Sequence, residues 1–167
     1  MSEFVKMKVT GLTIDPFTNM PIVILKDEDE SLALPIWIGL IEASSIATEL
    51  EKIQLSRPMT HDLIKTLLKD LKANVHRVEI VDLSDNTFFS VIRLTSMDGR
   101  ELTLDCRPSD ALAIALRMKA PIFVDRVVIE KSRKLESNNI SEDQMQAQKW
   151  TEILENLAPE DFGKYKM

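Results

Sequence analysis

A chain of 167 residues, 44% apolar and 29% charged, fits one globular domain plus an appendage; it excludes wholesale disorder and two ordinary domains. Its one cysteine, Cys106, excludes an internal disulfide and fits a reducing cytoplasm. The net charge of −6 gives no general excess of cations for nucleic acid, so any such contact has to come from a local patch.

The start, MSEFVKMKVTG, has no apolar run of signal-peptide length. Leu32 to Ala43 is broken by Pro35, Gly39 and Glu42 and falls short of the roughly 20 residues a bilayer requires. A cytoplasmic protein without membrane contact is expected.

In chain order, Phe4 to Ile14 reads as a strand, with Val5, Met7 and Val9 alternating against Lys6 and Lys8. Asp15 to Asn19 carries turn chemistry, Pro21 to Lys26 a second strand, and Asp27 to Glu30 a solvated acidic turn. Leu32, Leu34 and Ile36 alternate in a third strand containing Trp37, which is expected in the core. A helix follows with Ala43, Ile46, Ala47, Leu50 and Ile53 on one face. Arg57-Pro58 precedes a second helix, N-capped by Thr60, with an apolar stripe of Leu63, Leu67, Leu68 and Leu71.

Three more strands are predicted over Val75 to Leu83, Phe88 to Thr95 and Glu101 to Cys106, the last two joined by an Asp98-Gly99 hairpin. Cys106 reads as a small buried hydrophobe. A third helix spans Asp110 to Met118, then come a short strand from Pro121 to Val124 and a helical turn from Arg126 to Lys131. The pattern predicts an α+β fold, a mixed sheet with helices. Leu32-x-Leu34 and Glu42-Ala43-x-x-Ile46-Ala47 parallel Leu102-x-Leu104 and Asp110-Ala111-x-x-Ile114-Ala115, which suggests a tandem βββα duplication within residues 1–131. Residues 132–143 read as a polar linker. In 144–167, Ala147, Trp150, Leu154 and Leu157 form a C-terminal amphipathic helix, expected to pack on the body or on a second copy, with a dimer favoured.

Four glycines permit no glycine-rich phosphate loop, and one cysteine with two histidines permits no structural zinc site. Polar groups instead gather at element ends. Arg57 to Asp62 places a cation, a hydroxyl, the His61 imidazole and a carboxylate at a helix start, suited to an anion. Asp82 and Asp85, joined by Asp105 or Asp110, form a candidate hard-oxygen set for Mg²⁺ or Mn²⁺. Arg107 can grip a phosphate, and Ser109 can cap the third helix. Helix caps and an Arg107–Asp110 or Arg107–Glu42 ion pair are the purely structural alternative.

The segments Leu34-Pro35-Ile36-Trp37-Ile38-Gly39, Glu42-Ala43, Arg57-Pro58-x-Thr60-His61-Asp62, Asp82-Leu83-x-Asp85-Asn86-Thr87-Phe88 and Arg107-Pro108-Ser109-Asp110-Ala111, taken in order, resemble the bifunctional nuclease domain family of bacteria and plants. The resemblance covers residues 1 to about 130 and implies an α+β domain that cleaves DNA and RNA. It carries no catalytic assignment, so the site is read from chemistry. His61, Asp62, Asp82 and Asp85 are the catalytic candidates. Arg57, Arg107 and Ser109 are the substrate-binding candidates. Glu42, Asp82, Asp85 and Asp110 are the candidate ligands for Mg²⁺ or Mn²⁺. A non-catalytic regulatory or scaffold module acting through protein partners is the alternative.

Overall fold

The computed structural model describes residues 2–135. The predicted tail helix and most of the predicted linker lie outside them. β1 (Phe4–Ile14), β2 (Pro21–Asp27) and β3 (Ala33–Trp37) form an antiparallel meander followed by α1 (Leu40–Leu50) and α2 (Thr60–Asp70). β4 (Asn74–Ser84), β5 (Thr87–Thr95) and β6 (Glu101–Cys106) form a second meander followed by α3 (Pro108–Met118). β7 (Ile122–Asp125) lies between the meanders, antiparallel to β1 and parallel to β4, and gives one mixed sheet of order β3-β2-β1-β7-β4-β5-β6. The fold is α+β, as expected.

A fourth helix, α4, covers 126–135, further than the single turn expected. Val128, Ile129 and Ser132 are buried on it, so residues 132–135 continue the helix where a linker was expected. No described helix is long and apolar enough to cross a membrane.

The core lies between the sheet and α1 with α3. Met7, Val23, Leu25, Val78, Ile80 and Ile92 point from the strands against Ile46, Leu112 and Ile114. Trp37 departs from expectation, because it is 46% exposed at the edge strand and its indole N–H donates to Asp15 Oδ2 at 3.0 Å. Cys106 is half-buried, with the Ser90 hydroxyl beside its sulfur. Burial pushes its thiol pKa up, against the opposing Ser90 bond.

The apolar stripe of α2 is divided. Ile64 and Leu68 pack on the core, whereas Leu63, Leu67 and Leu71 are exposed. An eleven-residue helix carrying leucine on two faces can turn either inward, and its packing on α3 decides which. Leu68→Ala should therefore cost about 2 kcal/mol in urea unfolding, and Leu67→Ala less than about 0.5. Equal costs would contradict this orientation.

Candidate functional site

The starts of α1, α2 and α3 each place an acid at the third helical position, where a carboxylate meets the free amides and positive end of the helix dipole. These acids are Glu42, Asp62 and Asp110. At α1 the N-cap is Gly39, and the Glu42 carboxylate folds back onto it. A Cβ on residue 39 would stand 2.2 Å from Glu42 Oε2, so only glycine leaves that carboxylate in place.

Two predicted caps are corrected. The N-cap of α2 is Met59, and Thr60 is its first helical residue. Pro58 follows Arg57 directly, and the chain stays extended through Met59, whose N–H donates to Asp62 Oδ2 at 2.9 Å. In α3 the N-cap is Arg107, and Pro108 occupies the first turn, where its missing N–H costs nothing. Ser109 is therefore inside the helix, is 6% exposed, and makes no side-chain cap.

His61 joins the three helices. Its Nδ1 lies 2.7 Å from Ser45 Oγ on α1, and its Nε2 lies 2.9 Å from Asp110 Oδ1 on α3. A carboxylate facing Nε2 assigns the proton to that nitrogen, leaving Nδ1 to accept from the Ser45 hydroxyl. Asp110 also receives Arg107, whose Nε donates to Oδ2 at 2.8 Å, while Arg107 NH1 donates to Glu42 Oε1 at 2.7 Å. Both ion pairs of the structural alternative are thus made by one arginine. The result is a continuous line, Ser45–His61–Asp110–Arg107–Glu42. Its inner end is buried, since Ser45 is 2% exposed, and its outer end is open, since the Arg107 side chain is 64% exposed.

Behind this line lies Arg117, with 1% of its side chain exposed. Its Nε donates to Asp62 Oδ1 at 2.7 Å, NH2 to the Ser45 carbonyl at 3.1 Å, and NH1 to the Ala113 carbonyl at 3.2 Å. One guanidinium thereby ties α3 to both α1 and α2. Asp62 is accordingly occupied in holding α2 to Arg117.

Burial raises the pKa of Asp110, but the hydrogen bonds from Arg107 and His61 outweigh it and hold the carboxyl below its ordinary value. Burial likewise opposes a lowering at Asp62, where Arg117 and the Met59 amide prevail. Glu42 is lowered by its own backbone N–H and by Arg107. The two acids push the Arg107 pKa up.

The other candidates stand apart from this cluster. Arg57 is exposed and has no partner among the described residues. Asp82 accepts from Lys131 Nζ on α4 at 2.6 Å and from the Leu83 N–H at 2.8 Å. Asp85 and Asn86 form the tight turn between β4 and β5, both at positive φ as a two-residue type I′ hairpin requires. Among the described residues no three His, Cys, Asp or Glu side chains converge as metal ligands. Glu42 and Asp110 do meet, but around the Arg107 cation, a setting that repels a divalent ion. As they stand, these donors do not fit Mg²⁺ or Mn²⁺.

Glu42, His61, Arg107 and Asp110, drawn from three separate motifs, thus meet at one point. The family profile of the bifunctional nuclease domain matches residues 23–137, a stretch containing all of them. The chain belongs to the bifunctional nuclease domain family. An uncharacterized protein of Mycobacterium tuberculosis is 34% identical over 163 residues, covering 94% of this chain and 97% of that protein. Bifunctional nuclease 1 of Oryza sativa subsp. indica is 32% identical over 107 residues, 62% of this chain and 32% of its own length. Bifunctional nuclease 1 of Arabidopsis thaliana is 28% identical over 136 residues, 78% of this chain and 42% of its own. This chain thus matches less than half the length of each of these two plant proteins.

Ser45 and Arg117 are the members of the site that sequence reasoning missed. A serine in Ala43-Ser44-Ser45 resembles a surface residue. Arg117, however, lies seven positions after Asp110 on an otherwise apolar helix, and a cation on a core-facing stripe signals a buried partner.

Two predictions test the assembly. Arg117→Met should lower the unfolding free energy by about 3 kcal/mol, the cost of leaving a buried pair without one member; a loss under about 1 kcal/mol would contradict the tie. Asp110, Asp62 and Glu42 have lowered folded pKa values, so their stabilisation is complete above the ordinary Glu value of 4.5 and is lost as pH falls through the folded values. In urea unfolding, Asp110→Asn should lose less stability than wild type between neutral pH and about pH 3. An equal loss would contradict the assigned pairing.

Proposed function

We propose that the chain hydrolyses phosphodiester bonds of DNA and RNA at the open end of the Ser45–His61–Asp110–Arg107–Glu42 line. The observation that carries this reading is the exposed Arg107 guanidinium set beside a His–Asp pair. Arg107 would turn its donors from Glu42 and Asp110 to the phosphate oxygens and offset the charge that builds on them. Glu42 holds Arg107 in place before substrate arrives. Asp110 Oδ2, released as Arg107 turns to the phosphate, would take the proton lost by the attacking water and return it to the leaving oxygen as the P–O bond breaks, while His61 Nε2–H donates to Oδ1 and Ser45 keeps the imidazole oriented through Nδ1. Buried at 2% exposure, Ser45 is a positioning residue and not a nucleophile. Plant relatives that bear the name bifunctional nuclease support the substrate class.

No step is routed through Mg²⁺ or Mn²⁺. Purified protein should cleave single-stranded DNA and RNA, and cleavage should survive EDTA. Loss on chelation with recovery on added Mg²⁺ or Mn²⁺ would transfer the chemistry to a metal held elsewhere. Arg107→Gln and His61→Gln should each lower the rate about 10²-fold or more, measured under conditions where circular dichroism shows both variants folded. The Asp82→Ala, Asp85→Ala double variant should still cleave; loss of cleavage in a folded protein would return these two acids to the site.

The full pairing of the cluster favours a second reading, a non-catalytic module in which these groups only lock three helices together. Activity that separates from the protein on purification would favour that module, whereas full-rate cleavage by a well-folded Arg107→Gln protein would move the chemistry away from this line.

A further inference from the structure

Strand periodicity places Lys6 and Lys8 on one face of β1, and the register sets Lys8 opposite Lys26 of β2 and Lys6 opposite Phe123 of β7. The same row continues through Glu79 of β4 and Val91 of β5, and Arg77 faces Arg93 one step along. Met7, Ile122, Val78 and Ile92 occupy the opposite face with the core. An acidic chain thus gathers five cations on the sheet face turned away from α1 and α3.

The acids beneath them do not cancel this charge. Glu79 is 0% exposed under two arginines, with Oε2 3.0 Å from Arg93 Nε and Oε1 2.6 Å from Arg77 NH2. The Arg77 contact lacks hydrogen-bond alignment, so Oε1 is held by charge alone. Two guanidiniums over one carboxylate leave a net positive charge, and their side chains are 43% and 42% exposed. The Arg77 guanidinium also lies over the Phe123 and Phe4 rings, 5.3 and 5.8 Å from their centroids. Lys6 pairs with Glu28, and Lys8 and the mostly buried Lys26 share Glu30; the Lys6 and Lys8 contacts are exposed, are worth about 1 kcal/mol at most, and can be displaced by a phosphate. The acids on the neighbouring edge strand, Glu101 and Asp105, confine the positive area to β1 through β5.

We propose that this face is a docking platform for single-stranded nucleic acid, with Lys6, Lys8, Arg77 and Arg93 taking the phosphates and the half-buried Phe123 and Phe4 rings beside Arg77 meeting unpaired bases. A flat face with planar groups suits bases free to leave their own stack, which a duplex does not offer. The inference rests on the nuclease reading for its substrate, but binding and cleavage are measured apart.

The test is fluorescence anisotropy of a labelled single strand of about 12 nucleotides on the full chain, over a range of salt. Lys6→Gln with Lys8→Gln should weaken binding at least tenfold at low salt and reduce the salt slope by about 1.4, from two lost phosphate contacts. Arg93→Lys, which keeps a cation over Glu79, should weaken binding while the circular dichroism stays native. Glu28→Gln with Glu30→Gln should tighten it several-fold by removing the competing acids. Lys69→Gln on α2 should bind as wild type. Wild-type binding by the Lys6, Lys8 variant, or equal weakening by Lys69→Gln, would overturn the platform. Lysine-dependent binding without any cleavage would uphold it and overturn the nuclease reading instead.

Discussion

The site depends on one buried guanidinium. Arg117 sits on α3 with almost no solvent contact, and a buried cation is tolerated only when its donors are used. Its donors reach Asp62 of α2 and the Ser45 carbonyl of α1, which ties both helices to α3, the helix on which each of them packs. Once those helices are set, His61 has one place to go, between Ser45 and Asp110. The line out to Arg107 follows from that placement and needs no separate device.

Each helix start then contributes by the same local rule. A carboxylate at the third position is favourable because it meets free backbone amides, so Glu42, Asp62 and Asp110 are accounted for as helix starts before any chemistry is considered. What local rules do not account for is that Glu42 and Asp110 share Arg107, because an arginine at an N-cap position has no capping role of its own. Its two ion pairs close the junction on the solvent side, as Arg117 closes it on the inner side. The candidate chemistry lies between the two arginines.

The strands were legible because alternation has a period of two and the turns carry their own residue types; β1 spans Phe4–Ile14 as read from Val5, Lys6, Met7, Lys8 and Val9. The orientation of α2 was not legible, since Leu63 and Leu67 compete with Ile64 and Leu68 for the inward face and only α3 decides between them. The grouping of Asp82 and Asp85 with Glu42 and Asp110 rested on residue type, whereas Lys131 and a type I′ turn claim the first two locally. The cations of the sheet face were visible one strand at a time. Their union was hidden because register between distant strands is a tertiary property, which is why a net charge of −6 concealed a local basic area.

The central claim is that His61 and Asp110 act as one unit beside Arg107. A double-mutant cycle on cleavage of single-stranded RNA tests it most directly, comparing His61→Gln, Asp110→Asn and the double variant under conditions where all three are folded. Groups that act together are non-additive, so the double variant should be about as slow as the slower single variant. Fully multiplicative losses would show two independent contributions and contradict the account.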